Sequence, residues 1–283
     1  MPFFHSSRPM VFAHRGGCAL GPENTIAAFD LGLAAGADGL ELDVHLSADG
    51  LAVVHHDDVL DRCTDATGPI AQRTADELAR VDAAWRFVSG SGATSFKGHG
   101  VGVPTLREVL RRYAGVPTII EMKVDSEEMG RAVVAEIRAS DAVDWTCAAG
   151  FGCRATRAVR ALLPAVATTA CHSEVRLALY RSWVGYPMRR PPFGGYQVPE
   201  RAGVHRIVSR RFLRHAHRAG LKVQVWTVDE ASDMRRLLEW GVDALITNCP
   251  DVAVSVRDDM LRGTNPSSSP RDAGRLAPRS NRG

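Results

Sequence analysis

No apolar run in the 283 residues reaches the ~18 that a bilayer span requires. The first ten residues, "MPFFHSSRPM", are too short and too polar to read as a signal peptide. Charge is nearly balanced, with 35 Lys and Arg against 32 Asp and Glu, and no basic stretch is interleaved with aromatics. Nucleic acid is therefore not expected as a partner. The six cysteines show no C-x-x-C spacing, which argues against structural zinc and leads us to expect free thiols in a reducing compartment. No G-x-G-x-x-G or Walker A sequence follows a strand-like run, so a nucleotide-binding open sheet has no support. These absences leave a soluble, cytoplasmic protein without stable membrane insertion as the expectation. Nothing in them bears on oligomeric state.

What is present is an alternation. Short strand-like runs stand at 10–14, 38–44, 51–55, 117–124, 144–149, 165–170, 206–209, 222–228 and 243–247. Helical windows separate several of them: 26–36, 129–139, 154–163, 211–219 and 230–240. Repeated strand–helix units imply a parallel sheet covered by helices, and about 240 residues of them suit a closed (β/α)8 TIM barrel better than an open doubly wound sheet. The barrel is expected over residues 8–260. Residues 57–104 interrupt the rhythm and read as an insertion after the second strand, placed over the barrel mouth. Residues 261–283, rich in Ser, Pro, Arg and Gly, read as a disordered basic tail. Residues 181–206 read as a loop whose arginines are either a solvated face or a site for an anionic lipid.

Several strands carry charge on one face. In "GLELDV", Leu40, Leu42 and Val44 share one side and Glu41 and Asp43 the other, because strand side chains alternate. "TIIEMKV" repeats this with Glu121 and Lys123. Solvent-facing charge is the bland alternative, but parallel strands are normally covered on both faces. Carboxylates gathered in a barrel mouth repel one another unless a cation sits among them, and oxygen donors suit Mg²⁺ or Ca²⁺, with Mn²⁺ also possible. His14 closes the first strand, Arg15 opens the loop after it, and a second histidine pair stands at 55–56, again at a strand end. Barrel sites are built at such ends. Histidines for proton transfer, cationic side chains for a phosphate and a carboxylate set for a metal make a coherent kit.

The ordered set "HRG…PENT", "GADGLELDV…DG", "HDDVLDR", "PTL", "IEMK", "WTVD" and "GVDALITNCP" over residues 10–252 resembles the glycerophosphodiester phosphodiesterases, TIM-barrel members of the phospholipase-C-like phosphodiesterases. The resemblance implies His14 and His56 as the acid/base pair, with His45 and His55 as bystanders. It implies Glu41, Asp43 and Glu121 as ligands of one divalent cation. Arg15 and Lys123 would neutralise the phosphate, and Trp226 would line the pocket, a core-capping role being its alternative. Asp229 and Asn248 stand where the family more often has Asn and Asp. The implied activity is metal-dependent hydrolysis of a glycerophosphodiester to glycerol 3-phosphate and an alcohol. A lysophospholipase D acting on lysophospholipids is the rival within this chemistry, and a non-catalytic phosphodiester-binding barrel the rival of another class.

Overall fold

The apolar sides of the strands decide the architecture. Val11, Leu40, Leu42, Val44, Ile120, Ala148, Val223, Val225 and Leu245 are all buried, and each packs outward against helices. The computed structural model describes residues 2–90 and 96–263. In chain order its elements are β1 (Met10–His14), α1 (Ile26–Ala34), β2 (Gly39–Leu46), β3 (Ala52–Val54), α2 (Ala75–Leu78), α3 (Leu106–Arg112), β4 (Thr118–Met122), α4 (Glu127–Ala139), β5 (Thr146–Ala149), α5 (Cys153–Leu162), β6 (Ala167–Thr168), α6 (His172–Val184), β7 (Gly195–Pro199), β8 (Arg201–Ala202), β9 (His205–Arg206), α7 (Arg210–Arg218), β10 (Lys222–Trp226), α8 (Ala231–Trp240), β11 (Ala244–Thr247) and α9 (Pro250–Gly263).

Eight of the strands run parallel in the order β6-β5-β4-β2-β1-β11-β10-β7. A parallel bridge between Thr169 and Gly195 brings the last strand against the first, so the sheet is a nearly closed TIM barrel. Two expected strands behave differently. The run at 51–55 is β3, which pairs antiparallel with β2 outside the barrel path. The run at 206–209 is not a barrel strand: only His205–Arg206 is extended, as half of the small β8–β9 hairpin, and the seventh barrel strand is Gly195–Pro199. That strand lies within the stretch expected to be a loop at 181–206, as does the last turn of α6. "GYQVP" is bounded by glycine and proline and shows no long apolar run, which hides it in the sequence.

The barrel interior is filled by Phe12, Ile119, Cys147, Ala149, Ala167, Ala244 and Ile246, and is closed below by Phe3 and Phe4. Phe3 stacks on Phe12 at 5.8 Å between ring centroids, and Phe4 lies so close to Gly194 and Gly195 that a Cβ on Gly194 would stand 2.3 Å from its ring. Gly195 and Lys222 begin their strands, so this plug sits at the end opposite the strand C-termini. It lies ahead of the expected start of the barrel unit at residue 8. Because it fills a packed interior, Phe4→Ala is expected to cost about 3–5 kcal/mol, the usual range for a buried Phe, and a lowered denaturant midpoint with an unchanged m-value reads it.

Residues 57–90 and 96–104 form a satellite with its own small core of Leu60, Ile70, Leu78, Val81 and Val103 against Val53 of β3. Of the expected tail, residues 261–263 are the end of α9, and 264–283 lie outside the described residues. One expectation about cysteine is corrected. Cys153 and Cys171 form a disulfide, while Cys18, Cys63, Cys147 and Cys249 are free. The pair are 18 residues apart and carry no motif; only the fold sets the start of α5 beside the residue before α6.

Candidate active site

Strand register builds the site. In the β1–β2 ladder His14 stands opposite Glu41, and in the β2–β4 ladder Asp43 stands opposite Glu121. Parity then turns all four side chains inward near the strand C-termini. All eight side chains singled out in the sequence line one cavity: His14, Arg15, Glu41, Asp43, His56, Glu121, Lys123 and Trp226. Phe151, Gln197, Thr227 and Ile246 complete its wall.

The glycines after His14 have a local cause. Arg15 adopts φ +51° and Gly16 φ +87°, so the chain turns sharply out of β1. A Cβ on Gly16 would stand 2.8 Å from Ala28 and Phe29 of α1, which only glycine avoids. This turn aims the Arg15 N–H at Glu41 Oε2, 3.1 Å away. "PENT" opens α1, where Thr25 Oγ1 accepts the Ala28 N–H at 3.2 Å.

The three acids lie close together. One oxygen of each of Glu41, Asp43 and Glu121 falls within 4.8 Å of the others. Burial, and then the charges of Asp43 and Glu121, hold the Glu41 carboxyl well above its usual range. Burial also lifts Glu121, with Asp43 adding to it and Lys123 opposing. For Asp43 burial opposes the charge, but Lys123, Arg15 and Asn24 outweigh it and hold the carboxyl below its usual range. Lys123 Nζ stands 2.8 Å from Asp43 Oδ1 and also bonds Glu121, while Asn24 Nδ2 donates to Asp43 Oδ2 at 2.8 Å. Two atoms bound to a shared centre at about 2.0–2.6 Å lie at most about 5 Å apart, so the spacing of the acids fits one hard divalent cation. The raised carboxyls of Glu41 and Glu121 fit it too, since such an ion relieves the repulsion among the three acids.

The two histidines stand in different surroundings. His14 Nδ1 is 2.6 Å from Asn248 Oδ1, and its Nε2 is 3.8 Å from Glu41 Oε2. The Asn248 amide is itself oriented: its Nδ2 donates to Asp229 Oδ2 at 2.7 Å and its backbone N–H to Asp229 Oδ1 at 2.8 Å. The amide oxygen must therefore face His14, making Nδ1 the donor and leaving Nε2 as the free acceptor. Burial pushes the His14 pKa down, against the opposing effect of its bond to Asn248. His56 Nδ1 instead faces the Asp57 carboxylate at 2.6 Å. Its neighbours hold the backbone: His45 Nε2 donates to the His56 carbonyl at 2.9 Å and His55 Nδ1 to the Asp57 carbonyl at 3.0 Å.

Asn248 and Asp229 are the site residues that sequence reasoning noted only as departures. Asn248 directly follows β11 and Asp229 stands three residues past the end of β10, and side chains at barrel strand ends build sites.

Arg62 clamps the satellite segment to the loop after β1. It bonds Glu23 at 2.6 and 2.8 Å and also Asp57. Burial opposes ionisation of Glu23 and Asp57, yet the arginines, with His56 at Asp57, bring both down to about 2. Carboxyls held below their unfolded values of 4.5 and 3.8 stabilise the fold above about pH 4.5, and that contribution is lost as pH falls toward 2. The stability difference between the native chain and Arg62→Ala should thus be largest at neutral pH and shrink steadily below pH 4.5. Parallel thermal melts of the two proteins across that range check it.

Residues 14–252 match the family described as the glycerophosphoryl diester phosphodiesterase family. The chain belongs to that family. As a family member it is a phosphodiester hydrolase. A glycerophosphodiester phosphodiesterase of Bacillus altitudinis is 30% identical over 262 residues, covering 88% of this chain and 98% of that one. A namesake from Caldanaerobacter subterraneus is 28% identical over 263 residues, with 88% and 98% covered. The solved structure of an Oleispira antarctica phosphodiesterase in complex with the product sn-glycerol-3-phosphate superposes with a TM-score of 0.70, at 26% identity, covering 89% of this chain and 97% of that one.

Proposed function

We propose that this family member hydrolyses glycerophosphodiesters to glycerol 3-phosphate and an alcohol, with residues 8–260 as the catalytic unit. The observation that carries the reading is the single cavity at the strand C-termini holding two histidines, two cationic side chains and three clustered carboxylates. Glu41, Asp43 and Glu121 are the residues that would hold a divalent cation, Mg²⁺, Ca²⁺ or Mn²⁺, and such an ion supplies charge that polarises phosphate oxygens and acidifies a bound hydroxyl.

The chain's own residues do the rest. Arg15 and Lys123 stand against the phosphate charge. His14, neutral and with Nε2 free, takes the proton of the glycerol 2-hydroxyl as that oxygen attacks phosphorus. His56, backed at Nδ1 by Asp57, gives its proton to the departing alcohol oxygen. Water then opens the resulting cyclic phosphate with the two roles reversed. Trp226 meets Phe151 edge-on at 5.8 Å, and the two rings form the apolar lip of the cavity.

One observation favours a second substrate class. Beside the cleft, and sharing Glu121, Phe151, Gln197 and Trp226 with it, lies a pocket walled by Ala149, Ala170, Val175 and Val198. Such a wall suits an apolar chain on a lysophospholipid. Incubation with glycerophosphocholine and lysophosphatidylcholine in parallel separates the readings. Release of glycerol 3-phosphate and choline from the first supports the proposal. Choline from the second alone assigns lysophospholipase D activity, and binding without turnover of either makes the chain a binding barrel. Among the described residues no helix is long and apolar enough to cross a membrane. The cytoplasmic location expected from free thiols is weakened by the Cys153–Cys171 bond, because disulfides persist mainly in oxidising compartments. Blocking thiols at cell lysis and counting the reactive cysteines decides between them.

A further inference from the structure

Helices on the outside of a barrel turn polar residues to water. Here α4 exposes Glu127, Glu128, Arg131 and Arg138, and α7 exposes Arg210, Arg211 and Arg214. α6 departs from this. Its outward residues beyond Arg176 are Leu177, Tyr180, Trp183 and Val184, spaced by three, four and seven, and Tyr186 extends the patch beyond the helix end. Each is between 46% and 61% exposed. The inner face of the same helix, Val175, Ala178 and Leu179, is buried in the core, so α6 is apolar on both sides.

The surroundings are of one charge. Arg211, Arg214 and Arg218 of α7 share a shallow hollow with Trp183 and Val184. Arg176 precedes the patch on α6, and Arg189 and Arg190 follow it; all six arginines are exposed. Among the described residues none of the six has a carboxylate within 4.0 Å. Glu174, the acid of α6, is spent on Arg160 at 2.8 Å. The Arg181 guanidinium lies over the Tyr186 ring at 5.3 Å.

We propose that the outer face of α6, with its ring of unpaired arginines, docks onto an anionic lipid bilayer. Tryptophan and tyrosine favour the bilayer interface, and unpaired arginines draw anionic headgroups. The alternatives fit less well. A second copy meeting this face across a two-fold axis would set arginine against arginine. The chain's own residues 264–283 carry four arginines, one aspartate and a single large apolar residue, Leu276, so they complement neither the charge nor the apolar area. The docking does not depend on the catalytic reading. It bears on it, because His172 and Val175 in the first turn of α6 line the apolar pocket beside the cleft. The helix that walls this pocket would thus also hold the enzyme at a surface where amphiphilic phosphodiesters reside.

The test is co-sedimentation of the full chain with vesicles of phosphatidylglycerol in phosphatidylcholine, against vesicles of phosphatidylcholine alone. The expected result is partitioning on the order of tenfold stronger to the anionic vesicles, weakening as salt is raised. Trp183→Ser with Tyr180→Ser should lower that partitioning by about tenfold or more, as should Arg189→Glu with Arg190→Glu. All four positions are exposed, so both double variants should keep native melting and native turnover of soluble glycerophosphocholine. If the native chain binds neither vesicle at low salt, or both equally, the proposal is overturned. A solution dimer that Trp183→Ser dissociates overturns it as well, and gives the face to a second copy.

Discussion

His14→Ala is expected to lower turnover of glycerophosphocholine by about 10²–10⁴-fold, and His56→Ala by a similar factor, the range typical of general acid–base catalysis. The argument rests on what each ring is bonded to. His14 spends Nδ1 on Asn248, so its one free lone pair, on Nε2, points toward the cavity beside Glu41. His56 spends Nδ1 on Asp57, which fixes the ring and leaves Nε2 for donation. The two single variants should therefore act on the same step and be far from additive when combined. Asn248→Ala gives a sharper check on the tautomer. It leaves both rings in place but frees His14 Nδ1, so kcat should fall and its pH profile shift, while binding of substrate changes little. Steady-state rates across pH for the three variants report all of this. Equal activity of either histidine variant and the native chain would remove that residue from the chemistry.

Glu121→Ala should lower activity on the order of 10³-fold or more, since charge stabilisation by a bound cation is worth several kcal/mol. Its effect on the fold should be small and of the opposite sign. Glu121 is one of three mutually repelling carboxylates, and burial already disfavours its charge. Removing it leaves Lys123 paired with Asp43 at 2.8 Å and relieves the repulsion on Glu41. The metal-free variant should melt at or above the native temperature. It should also lose the rise in melting temperature that a divalent cation gives the native chain through preferential binding to the folded state. Thermal melts with and without cation, beside rate measurements, separate the two effects. A large drop in metal-free stability would mean that Glu121 is structural.

Much of this site is visible in the sequence because strand alternation is a rigid rule. Once "GLELDV" and "IEMK" are strands, the inward face of each is settled, and Glu41, Asp43, Glu121 and Lys123 converge without further information. The position of His14 follows from its strand end, whereas His56 reaches the mouth because antiparallel β3 returns to the level of Asp43, whose carbonyl accepts the His55 N–H. Other features depend on contacts that sequence pattern does not encode. β7 is five residues bounded by glycine and proline, and only its pairing with the β6 end and with β10 marks it as a barrel strand. α6 shows no helical stripe because apolar residues occupy both of its faces. The disulfide needs two loop ends from successive barrel units to meet, and the Asp229–Asn248–His14 chain needs β10, β11 and β1 to be neighbours. These are properties of closure, and closure is where local reading stops.

The most direct measurement is the release of glycerol 3-phosphate from glycerophosphocholine by the purified full chain, before chelation, after removal of divalent cations, and after Mg²⁺, Ca²⁺ or Mn²⁺ is restored. The expected result is hydrolysis that chelation abolishes and that at least one of the three ions restores. Full turnover in the chelated enzyme would contradict the assignment of Glu41, Asp43 and Glu121, and absence of product under every condition would contradict the catalytic reading itself.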